Sequence, residues 1–356
     1  MVKYYIIITM TKTVYVGLSG GVDSSVAAAL LKEQGYNVVG VYMKNWSRDL
    51  PGFSCPWKED YQDAKRVAVQ LGIEFKMFDF ENEYFNRVVQ YMLDGFTAGQ
   101  TPNPDIMCNQ EIKFKLFLEA SLEQGADFIA TGHYAQTSNG KLLVAKDNNK
   151  DQTYFLYRVT DEALSKTLFP IGGYTKPEVR ELAKKYNLIT ATKKESMGIC
   201  FVGKVGIKEF LQQFLPPQKS GDIKNQYGMN IGTHDGAVYY TIGQRHGLSV
   251  GGGLPYYVTG KDMAKNEVYV TTDIQDKKLW NDVITLTSPH WISKNPDLKE
   301  LVVRTRHRGP LTIVKSIKKQ GNNYILELAE PLRALTAGQS AVLYQKDVCI
   351  GGGIIC

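Results

Sequence analysis

The sequence predicts an α/β protein in which a doubly wound parallel sheet is followed by two small, mainly-β domains. In the first half, apolar strand-like runs alternate with helical runs of the length that connects parallel strands. The first of these runs ends in a glycine-rich turn, which is typical of ligand-binding α/β sheets. In the second half, short alternating runs rich in Gly, Thr, Val and Tyr indicate small β units or a barrel. We therefore expect three domains, at residues 1–205, 206–280 and 281–356.

Each element of the first domain has its own signal. Apolar runs predict four strands, at residues 13–18, 38–42, 74–80 and 127–131. Apolar residues at helical spacing predict five helices, at residues 24–34, 57–71, 83–96, 111–123 and 177–186. Gly72 is a suitable C-cap for the second helix, and Pro177 lies near the start of the last. Because strands and helices alternate, we expect a ligand at the carboxyl ends of the strands.

The β-rich part begins after a short helix. This helix is predicted at residues 207–214, and the dipeptide Pro216-Pro217 follows it as a boundary. Alternating patterns then predict short strands, among them residues 237–241, 256–258, 267–270 and 324–328. The segment 280–296 lies between two groups of such strands and is expected to divide them.

Composition and charge are those of an ordinary globular protein. Of 356 residues, 43% are hydrophobic and 22% are charged. The net charge of +6 permits nucleic-acid binding through a local patch without requiring it. The apolar run at residues 6–8 is too short for a membrane span or a signal sequence, so we expect no membrane association.

The five cysteines are sparse and widely spaced. Such a set is not a disulfide framework, and the chain has no C-x-x-C pair that would indicate a zinc ribbon or an iron–sulfur cluster. We therefore expect a reducing, cytoplasmic compartment and no resident metal site.

The segment GLSGGVDSS, residues 17–25, joins the first strand to the first helix. Backbone N–H groups at a helix N-terminus lack intrahelical acceptors, and the helix dipole adds positive potential there, so the segment predicts an anion site. Glycines allow close approach of a phosphate, and serines add hydroxyl donors. The residues predicted to bind phosphate are Gly17, Leu18, Ser19, Gly20, Gly21, Val22, Asp23 and Ser24. Asp23 is unusual in an anion site unless a cation such as magnesium bridges it to the phosphates.

This turn differs from the two commonest phosphate loops. The chain contains neither Gly-Lys-Ser/Thr nor G-x-G-x-x-G. Ser-Gly-Gly-x-Asp-Ser instead resembles the pyrophosphate loop of the N-type ATP pyrophosphatases, which have the adenine nucleotide alpha hydrolase-like fold. The resemblance implies that ATP is split between its α- and β-phosphates and that AMP passes to a substrate oxygen. An ordinary glycine-rich corner is the alternative interpretation.

The segment TPNPDIMCN, residues 101–109, is the second informative stretch. Its two prolines are expected to stiffen a loop and to prevent a helix. That loop presents Asp105 and Cys108 just ahead of a helix that starts near Asn109. A thiol at a helix N-terminus has its thiolate stabilised by the dipole, whereas a buried structural cysteine is the alternative.

The segment ESMGICF, residues 195–201, is the third. Gly198 and the preceding basic pair Lys193-Lys194 indicate a loop near a charged ligand. Cys200 lies far along the chain from Cys108, and the sequence leaves open whether the two cysteines meet or Cys200 is an inert core thiol.

Nine motifs resemble the tRNA-uridine 2-sulfurtransferase (2-thiouridylase) family. In chain order they are GLSGGVDSS, VYMKNW, TPNPDIMCN, IATGHY, KDQTYFLY, SMGICF, TIGQRHGL, GQSAV and CIGGGII. They span residues 13–355, and no motif position departs from the family pattern. Each motif alone is weak to moderate, but nine in order are highly specific.

The resemblance implies that the protein replaces the 2-oxo group of the wobble uridine of tRNA with sulfur. Transfer of AMP from ATP would convert that oxygen into a leaving group, and pyrophosphate would stay on the glycine-rich turn. Cys200 is implied to carry a persulfide, received from a sulfur-relay or cysteine desulfurase protein. Cys108 is implied to be the second catalytic cysteine, whose attack leaves a Cys108–Cys200 disulfide for a reductant to reset. Asp105 is implied to be the general acid/base.

The resemblance also implies binding roles. Met43 and Gly132 are implied to contact adenosine, and Asn103 and Pro104 to contact the target base with Asp105. The implied tRNA contacts are His133, Lys150, Asp151, Gln152, Arg306, His307 and Gln339. The alternatives are core packing for Met43, a tight turn for Gly132 and a satisfied core histidine for His133.

Residues 304–308 include Arg304, Arg306, His307 and Arg308, a basic strip that suits phosphate binding. A solvated edge strand with protective charges is the other interpretation of this strip.

Two other functions stay open at this point. An ATP pyrophosphatase that amidates a small molecule would need neither cysteine. A non-catalytic, nucleotide-sensing RNA-binding protein would bind tRNA without releasing pyrophosphate. Asp23 and Asp105 argue against the non-catalytic RNA-binding function, because a protein that only binds RNA has no need of carboxylates beside phosphates and a base.

Overall fold

The computed structural model describes residues 11–51, 54–194, 206–248, 250–251 and 253–356. The described strands form three sheets, of five, four and eight strands. The first sheet is parallel, and the other two are mainly antiparallel. The predicted fold class, a doubly wound parallel sheet followed by mainly-β domains, is confirmed.

The parallel sheet has the strand order β3-β2-β1-β4-β7. Its strands are β1 (Thr13–Gly17), β2 (Asn37–Lys44), β3 (Glu74–Asp79), β4 (Phe128–Ala130) and β7 (Thr167–Leu168). The chain proceeds outward from β1 to β3 and then returns to the other side of β1 to form β4. This reversal creates a topological switch point between β1 and β4, where doubly wound sheets bind their ligands.

Helices cover this sheet, and most lie close to the predicted residues. The regular ones are α1 (Val22–Glu33), α2 (Trp57–Leu71), α9 (Lys176–Lys185) and α10 (Ile207–Phe214). Gly72 caps α2 in the left-handed conformation, as expected, with φ of 59°. Two short helices are α7 (Thr153–Leu156) and α8 (Asp161–Ser165). Within the described parts of the chain, no helix combines the length and apolar composition needed to cross a membrane.

The helices predicted at 83–96 and 111–123 are both interrupted by π-helical turns. The first consists of α3 (Glu81–Tyr84), a π-helix (Phe85–Val89) and α4 (Gln90–Thr97). The second consists of α5 (Pro104–Met107), a π-helix (Cys108–Leu116) and α6 (Phe117–Glu123). Helical structure in the second therefore begins ahead of the predicted start.

The smaller β-sheet has the order β10-β11-β8-β9. Its strands are β8 (Gly221–Lys224), β9 (Asn230–His234), β10 (Tyr257–Asp262) and β11 (Glu267–Thr271). The strand predicted at 237–241 is wrong, because Ala237–Tyr239 form a 3-10 turn. A short apolar run is compatible with either a buried strand or a helical turn, and here Gly236, at φ of 134°, redirects the chain.

Six strands form a barrel. They are β12 (Trp280–Trp291), β13 (Val302–Arg304), β14 (Thr312–Gln320), β15 (Asn323–Arg333), β16 (Ser340–Gln345) and β17 (Val348–Ile355). Pairing of β12 with both β15 and β17 closes the barrel. Residues 280–291 are therefore the first barrel strand rather than a divider between strand groups, which corrects the expectation for 280–296.

A hairpin joins the parallel-sheet domain to the barrel. The strands β5 (Gln136–Ser138) and β6 (Lys141–Leu143) follow β4 in the chain, yet β6 pairs with β17, with Leu142 opposite Cys349. One hydrophobic cluster contains side chains from both sides of this junction, including Tyr157 and Val342. The two domains thus share a core, which fixes their relative orientation.

Candidate functional site

The glycine-rich turn lies at the switch point, directly after β1. Gly20 has φ of 73°, and a β-carbon built there would lie 2.4 Å from the carbonyl oxygen of Asp60 on α2. Only glycine therefore fits between this turn and α2. Gly21 is the N-cap of α1 and provides no side-chain capping hydrogen bond, so the first N–H groups of α1 are available to an anion.

Serine hydroxyls hold the turn in shape. The backbone N–H of Ser19 donates to Oγ of Ser24 at 3.2 Å, and the two serine hydroxyls lie 3.2 Å apart. The hydroxyl of Ser25 donates to the carbonyl oxygen of Gly21 at 2.7 Å. The turn thus forms a polar concave surface that fits a polyphosphate group.

The loop after β4 approaches this turn closely. A β-carbon built on Gly132 would lie 2.6 Å from the backbone nitrogen of Ser24 and 2.8 Å from the carbonyl carbon of Asp23. On the opposite side, a β-carbon on Gly17 would lie 2.9 Å from Cε of Met43. Glycine at 132 and 17 therefore permits β1, β2 and β4 to present their carboxyl ends to one space.

That space is a cavity of about 390 Å³. Its lining includes residues of the glycine-rich turn and the aromatic side chains of Tyr42, Trp46, Trp57 and Tyr84. The predicted site residues that line it are Gly17, Leu18, Ser19, Asp23, Ser24, Met43, Gly132, His133 and Gln152. A lining that combines aromatic and polar groups suits a nucleotide, whose base and phosphates differ in the same way.

Asp23 has a partner that the sequence did not reveal. Nζ of Lys176, at the start of α9, lies 2.7 and 2.9 Å from its two carboxylate oxygens, and the hydroxyl of Tyr134 donates to it at 3.0 Å. The ammonium neutralises the carboxylate beside the anion site, so Asp23 does not depend on magnesium for its counter-ion. Among the residues that the structure covers, no group of three or more His, Cys, Asp or Glu side chains could hold a metal.

The second predicted segment is helical, which corrects the expectation of a loop. Oδ1 of Asn103 accepts hydrogen bonds from the N–H groups of Asp105 (3.1 Å) and Ile106 (3.3 Å), so Asn103 is the N-cap of α5. Pro104 fits the first turn because an N–H there has no intrahelical acceptor. Cys108 consequently begins the π-helix, one turn beyond the helix N-terminus, and the dipole argument for its thiolate weakens.

Asp105 and Cys108 are not among the described residues that line the cavity. Cys108 is 2% exposed and packs in a cluster with Trp46 and Tyr84, both of which line the cavity. Burial raises the pKa of the Asp105 carboxyl, although the nearby charge of Lys113 opposes that effect. A carboxyl with a raised pKa is a stronger base once ionised.

Cys200 lies outside the described residues, within 195–205. The residues that flank this segment are described. Before it, Nζ of Lys193 lies 2.9 Å from Oδ1 of Asp60, which lines the cavity. After it, Phe210 on α10 packs on Trp46, with ring centroids 5.9 Å apart. On both sides of the segment, a described residue therefore contacts a residue that lines the cavity.

His133 combines cavity and core features. Its Nδ1 lies 2.8 Å from the hydroxyl of Thr131, and its ring lies 5.7 Å from that of Phe114 between centroids. Burial holds the pKa of His133 well below its usual value, and the charge of Lys113 lowers it further. The imidazole is therefore neutral at neutral pH. Its predicted tRNA contact stays a prediction.

The predicted triplet at 150–152 lies between the cavity and the barrel. Oε1 of Gln152 accepts from the backbone N–H of Tyr134 at 2.9 Å, beside the cavity. Asp151 is 3% exposed, and Oδ2 lies 3.2 Å from Nη1 of Arg304. Arg304 is thus committed to an internal ion pair, which separates it from the rest of the predicted basic strip. Direct tRNA contact by Lys150, Asp151 and Gln152 stays a prediction.

The remaining strip residues line a groove on the barrel of about 640 Å³. Arg306 and Arg308 are exposed there, and the half-buried ring of His307 lies 4.7 Å from that of Phe155 between centroids. The guanidinium of Arg306 donates to the carbonyl oxygen of Arg333 at 2.8 Å, which aligns it along the groove. A groove with several cationic groups suits a nucleic-acid backbone.

The turn that carries Gln339 contacts the segment before Asn103. The backbone N–H of Thr101 donates to the carbonyl oxygen of Ala337 at 2.8 Å, and a β-carbon on Gly338 would lie 2.7 Å from the same nitrogen. The hydroxyls of Thr101 and Thr241 lie 3.1 Å apart, which adds a contact from the region of the smaller sheet. The segment that leads to Asp105 therefore lies where the parallel-sheet domain, the region of the smaller sheet and the barrel meet.

Comparisons with known proteins agree with this arrangement. A family model described as tRNA methyl transferase HUP domain matches residues 12–204. A tRNA methyl transferase PRC-barrel domain matches 208–272, and an aminomethyltransferase beta-barrel domain matches 281–355. The chain is 49% identical to the tRNA-specific 2-thiouridylase MnmA of Bacillus licheniformis over 353 residues, which covers 96% of this chain and 94% of the relative. Identity is 47% over 350 residues, with the same coverage, to the protein of that name from Listeria monocytogenes.

A solved structure that resembles the chain is more distant from it. A 4-thiouridine synthetase in complex with RNA and ATP is 18% identical, with a TM-score of 0.37, covering 57% of this chain and 50% of that one. A likeness of this size supports no argument about function.

Proposed function

The chain belongs to the tRNA-specific 2-thiouridylase family, and from that premise we propose that it uses ATP to replace the 2-oxo group of the wobble uridine of tRNA with sulfur. The observation that carries the proposal is the cavity at the switch point. It is lined by a polyphosphate-binding turn, and its wall is backed by the helix that bears Asp105 and Cys108. An activating nucleotide and a sulfur-handling cysteine thus adjoin one space.

ATP is the activating substrate. Its β- and γ-phosphates bind the turn at 17–24, where free N–H groups and serine hydroxyls converge. The adenosine part of ATP contacts Met43 and Gly132, which also line the cavity. Magnesium would be held chiefly by the phosphates of ATP and would neutralise part of their charge, as is usual for nucleotide sites that offer only one or two carboxylates.

Adenylation is the first chemical step. The 2-oxo oxygen of uracil attacks the α-phosphorus, and pyrophosphate leaves with the electron pair of the broken P–O bond. The N3 proton of the base passes to Asp105, whose raised pKa suits it to accept that proton. Asn103 and Pro104, at the start of the same helix, contact the base.

Sulfur transfer is the second step. The terminal sulfur of a Cys200 persulfide attacks C2 of the base, and AMP leaves with the electrons of the C2–O bond. The Cys108 thiolate then attacks the inner sulfur of Cys200, so the S–S electron pair stays on the thiolated base and a Cys108–Cys200 disulfide forms. An external reductant returns both thiols.

Chain reach supports this pairing. Cys200 is six residues from both Lys194 and Gly206, and six residues span at most roughly 20 Å. Lys193 and Phe210, just outside these points, both contact residues that line the cavity.

Transfer RNA is the substrate macromolecule. The groove with Arg306 and His307, the turn with Gln339, and Lys150 provide its contacts, and His133 and Gln152 extend them to the cavity. Residues 1–205 form the catalytic unit, 206–280 a central unit and 281–356 a tRNA-binding unit. A persulfide-bearing protein, either a sulfur relay or a cysteine desulfurase, loads Cys200.

Nucleoside mass spectrometry tests the proposal. The protein is incubated with unmodified tRNA, Mg·ATP and a persulfide donor, and the wobble uridine is expected to exchange one oxygen for one sulfur. C200S and C108S are expected to abolish the exchange, whereas C356S, at an exposed cysteine, is the matched control. An amidating enzyme would retain its activity in C200S, and a pure RNA binder would release no pyrophosphate with bound tRNA.

A further inference from the structure

One buried oxygen at the cavity has no hydrogen-bond partner. Of the described residues that line the cavity, Asn45 is the one with a buried side-chain polar atom, its Oδ1, that makes no hydrogen bond. Other polar groups of the lining have protein partners, namely Asp23 (Lys176), Asp60 (Lys193), Thr131 (His133) and Gln152 (Tyr134). Buried polar groups in native structures are nearly always hydrogen-bonded, so an unpaired acceptor beside a ligand cavity points to a donor on the ligand.

Asn45 has a fixed place directly after the carboxyl end of β2. Before it, the carbonyl oxygen of Lys44 accepts a hydrogen bond from the backbone N–H of Phe80 at 3.0 Å, at the end of the β2–β3 pairing. After it, Trp46 is buried, and its indole N–H donates to the carbonyl oxygen of Arg48 at 2.8 Å. The backbone on both sides of Asn45 is therefore held without a ligand and needs no reordering to bind one.

The unpaired atom is an acceptor, which narrows the part of ATP that it can contact. Phosphate oxygens are acceptors, so they cannot satisfy Oδ1. The donors of ATP are the 6-amino group of adenine and the ribose hydroxyls. Met43, two residues before Asn45, is the proposed adenosine contact and lines the same cavity. Asparagine is also well matched to adenine, because its amide oxygen accepts from the 6-amino group while its amide nitrogen can donate to N7.

We propose that Asn45 selects the adenine base, with its Oδ1 accepting a hydrogen bond from the 6-amino group of ATP. The inference rests on the proposed function, in which ATP occupies this cavity. A guanine base in the same position would place its O6, an acceptor, against Oδ1 and leave two buried acceptors facing each other. A site built to bind an amino group rejects such a base strongly, so Asn45 restricts the activating nucleotide to ATP.

Calorimetric titration with ATP and with purine riboside triphosphate, which has hydrogen in place of the 6-amino group, tests the assignment. Wild type is expected to bind ATP about tenfold more tightly, a factor typical of one hydrogen bond to a buried acceptor. In N45A the two nucleotides are expected to bind within about twofold of each other. N45D retains an acceptor and is expected to keep the preference, although its charge weakens binding of both nucleotides.

The matched control is N82A, because Asn82 is exposed on α3 and is not among the described residues that line the cavity. N82A is expected to keep the wild-type affinities. The ratio of two affinities within one protein also separates recognition from folding, because a general loss of structure weakens binding of both nucleotides alike. If N45A binds neither nucleotide, N45D decides: a retained preference supports the inference, and equal affinities overturn it.

The nucleotide 2′-deoxy-ATP tests the competing donor. If N45A loses the preference for ATP over 2′-deoxy-ATP but keeps that over purine riboside triphosphate, Oδ1 accepts from the ribose and the inference is overturned. Equal binding of ATP and purine riboside triphosphate by wild type, with normal release of pyrophosphate in the presence of tRNA, overturns the inference alone. Wild-type protein that neither binds ATP nor releases pyrophosphate with tRNA overturns the proposed function itself.

Discussion

Replacing Gly132 with alanine tests whether the close approach of two loops creates the nucleotide site. The new β-carbon would lie 2.6 Å from the nitrogen of Ser24, 2.8 Å from the carbonyl carbon of Asp23 and 3.0 Å from the Cα of Ser24. Ordinary contacts lie near 3.5–4.0 Å, so the loops must separate by about 1 Å. All three opposing atoms belong to the backbone at the start of α1, which cannot move aside as a flexible side chain would.

The substitution is expected to lower both the stability of the fold and the rate of pyrophosphate release. Overpacking of this kind typically destabilises a fold by about 1–3 kcal/mol, which urea unfolding measures. A shift of about 1 Å between the phosphate turn and the opposite wall is expected to slow pyrophosphate release by roughly 100-fold. Titration of ATP in the absence of tRNA is expected to show weaker binding, because both loops line the cavity.

Gly173→Ala is the matched control for this substitution. A β-carbon at 173 would meet no atom within 4 Å. G173A is therefore expected to stay within about 0.5 kcal/mol of wild type and to bind ATP normally. Wild-type stability and ATP affinity in G132A would refute the view that the contact between these loops defines the site.

Three other predictions follow from charged and titratable groups. Arg304→Met leaves the buried carboxylate of Asp151 without its cationic partner and is expected to lower the free energy of unfolding in urea by about 3 kcal/mol. Lys146→Met, in an exposed pair with Glu178, is expected to lower it by under about 1 kcal/mol. Equal losses in the two variants would contradict the argument from burial. His133 is held neutral in the fold but protonates near its usual pKa when unfolded, so its contribution to the free energy of unfolding is present above about pH 6.5 and declines below it by up to about 1.4 kcal/mol per pH unit. Below about pH 6.5, the free energy of unfolding of the wild type should therefore fall more steeply with falling pH than that of His133→Gln. Parallel curves for the two proteins would contradict this. Lys176→Met exposes the phosphates of ATP to the uncompensated charge of Asp23, so ATP affinity measured by calorimetry should weaken by roughly tenfold. The affinity should recover in part when Asp23→Asn is added to Lys176→Met. No recovery would mean that the two charges are not coupled.

The sequence predicts regular elements well where local signals agree. The helix α2 begins at Trp57 and ends at Leu71, as expected, because apolar periodicity and the C-capping Gly72 mark the same boundary. It predicts poorly where a residue has two compatible roles. Prolines stiffen loops but also fit the first turn of a helix, so the segment from Pro104 was expected to be a loop.

In the candidate site, too, features with local sequence signals are predictable and features set by tertiary contacts are not. The glycine-rich turn is recognisable because its backbone chemistry is local to nine residues. Lys176 escapes detection, because its pairing with Asp23 is a contact between distant segments of the chain. The hairpin β5–β6 is likewise missed, since its pairing with β17 is set by tertiary packing. The Cys200 segment stays a prediction, because it lies outside the described residues.

In the proposed mechanism, one cavity activates the base oxygen as an ester of AMP before sulfur displaces it. A tRNA that carries oxygen-18 at O2 of the wobble uridine tests this directly, with mass spectrometry of the AMP released in a single turnover. We expect the heavy oxygen to appear in the phosphate of AMP, one atom per uridine thiolated. Heavy oxygen in water or pyrophosphate, with unlabelled AMP, would show that the base oxygen does not leave as part of AMP.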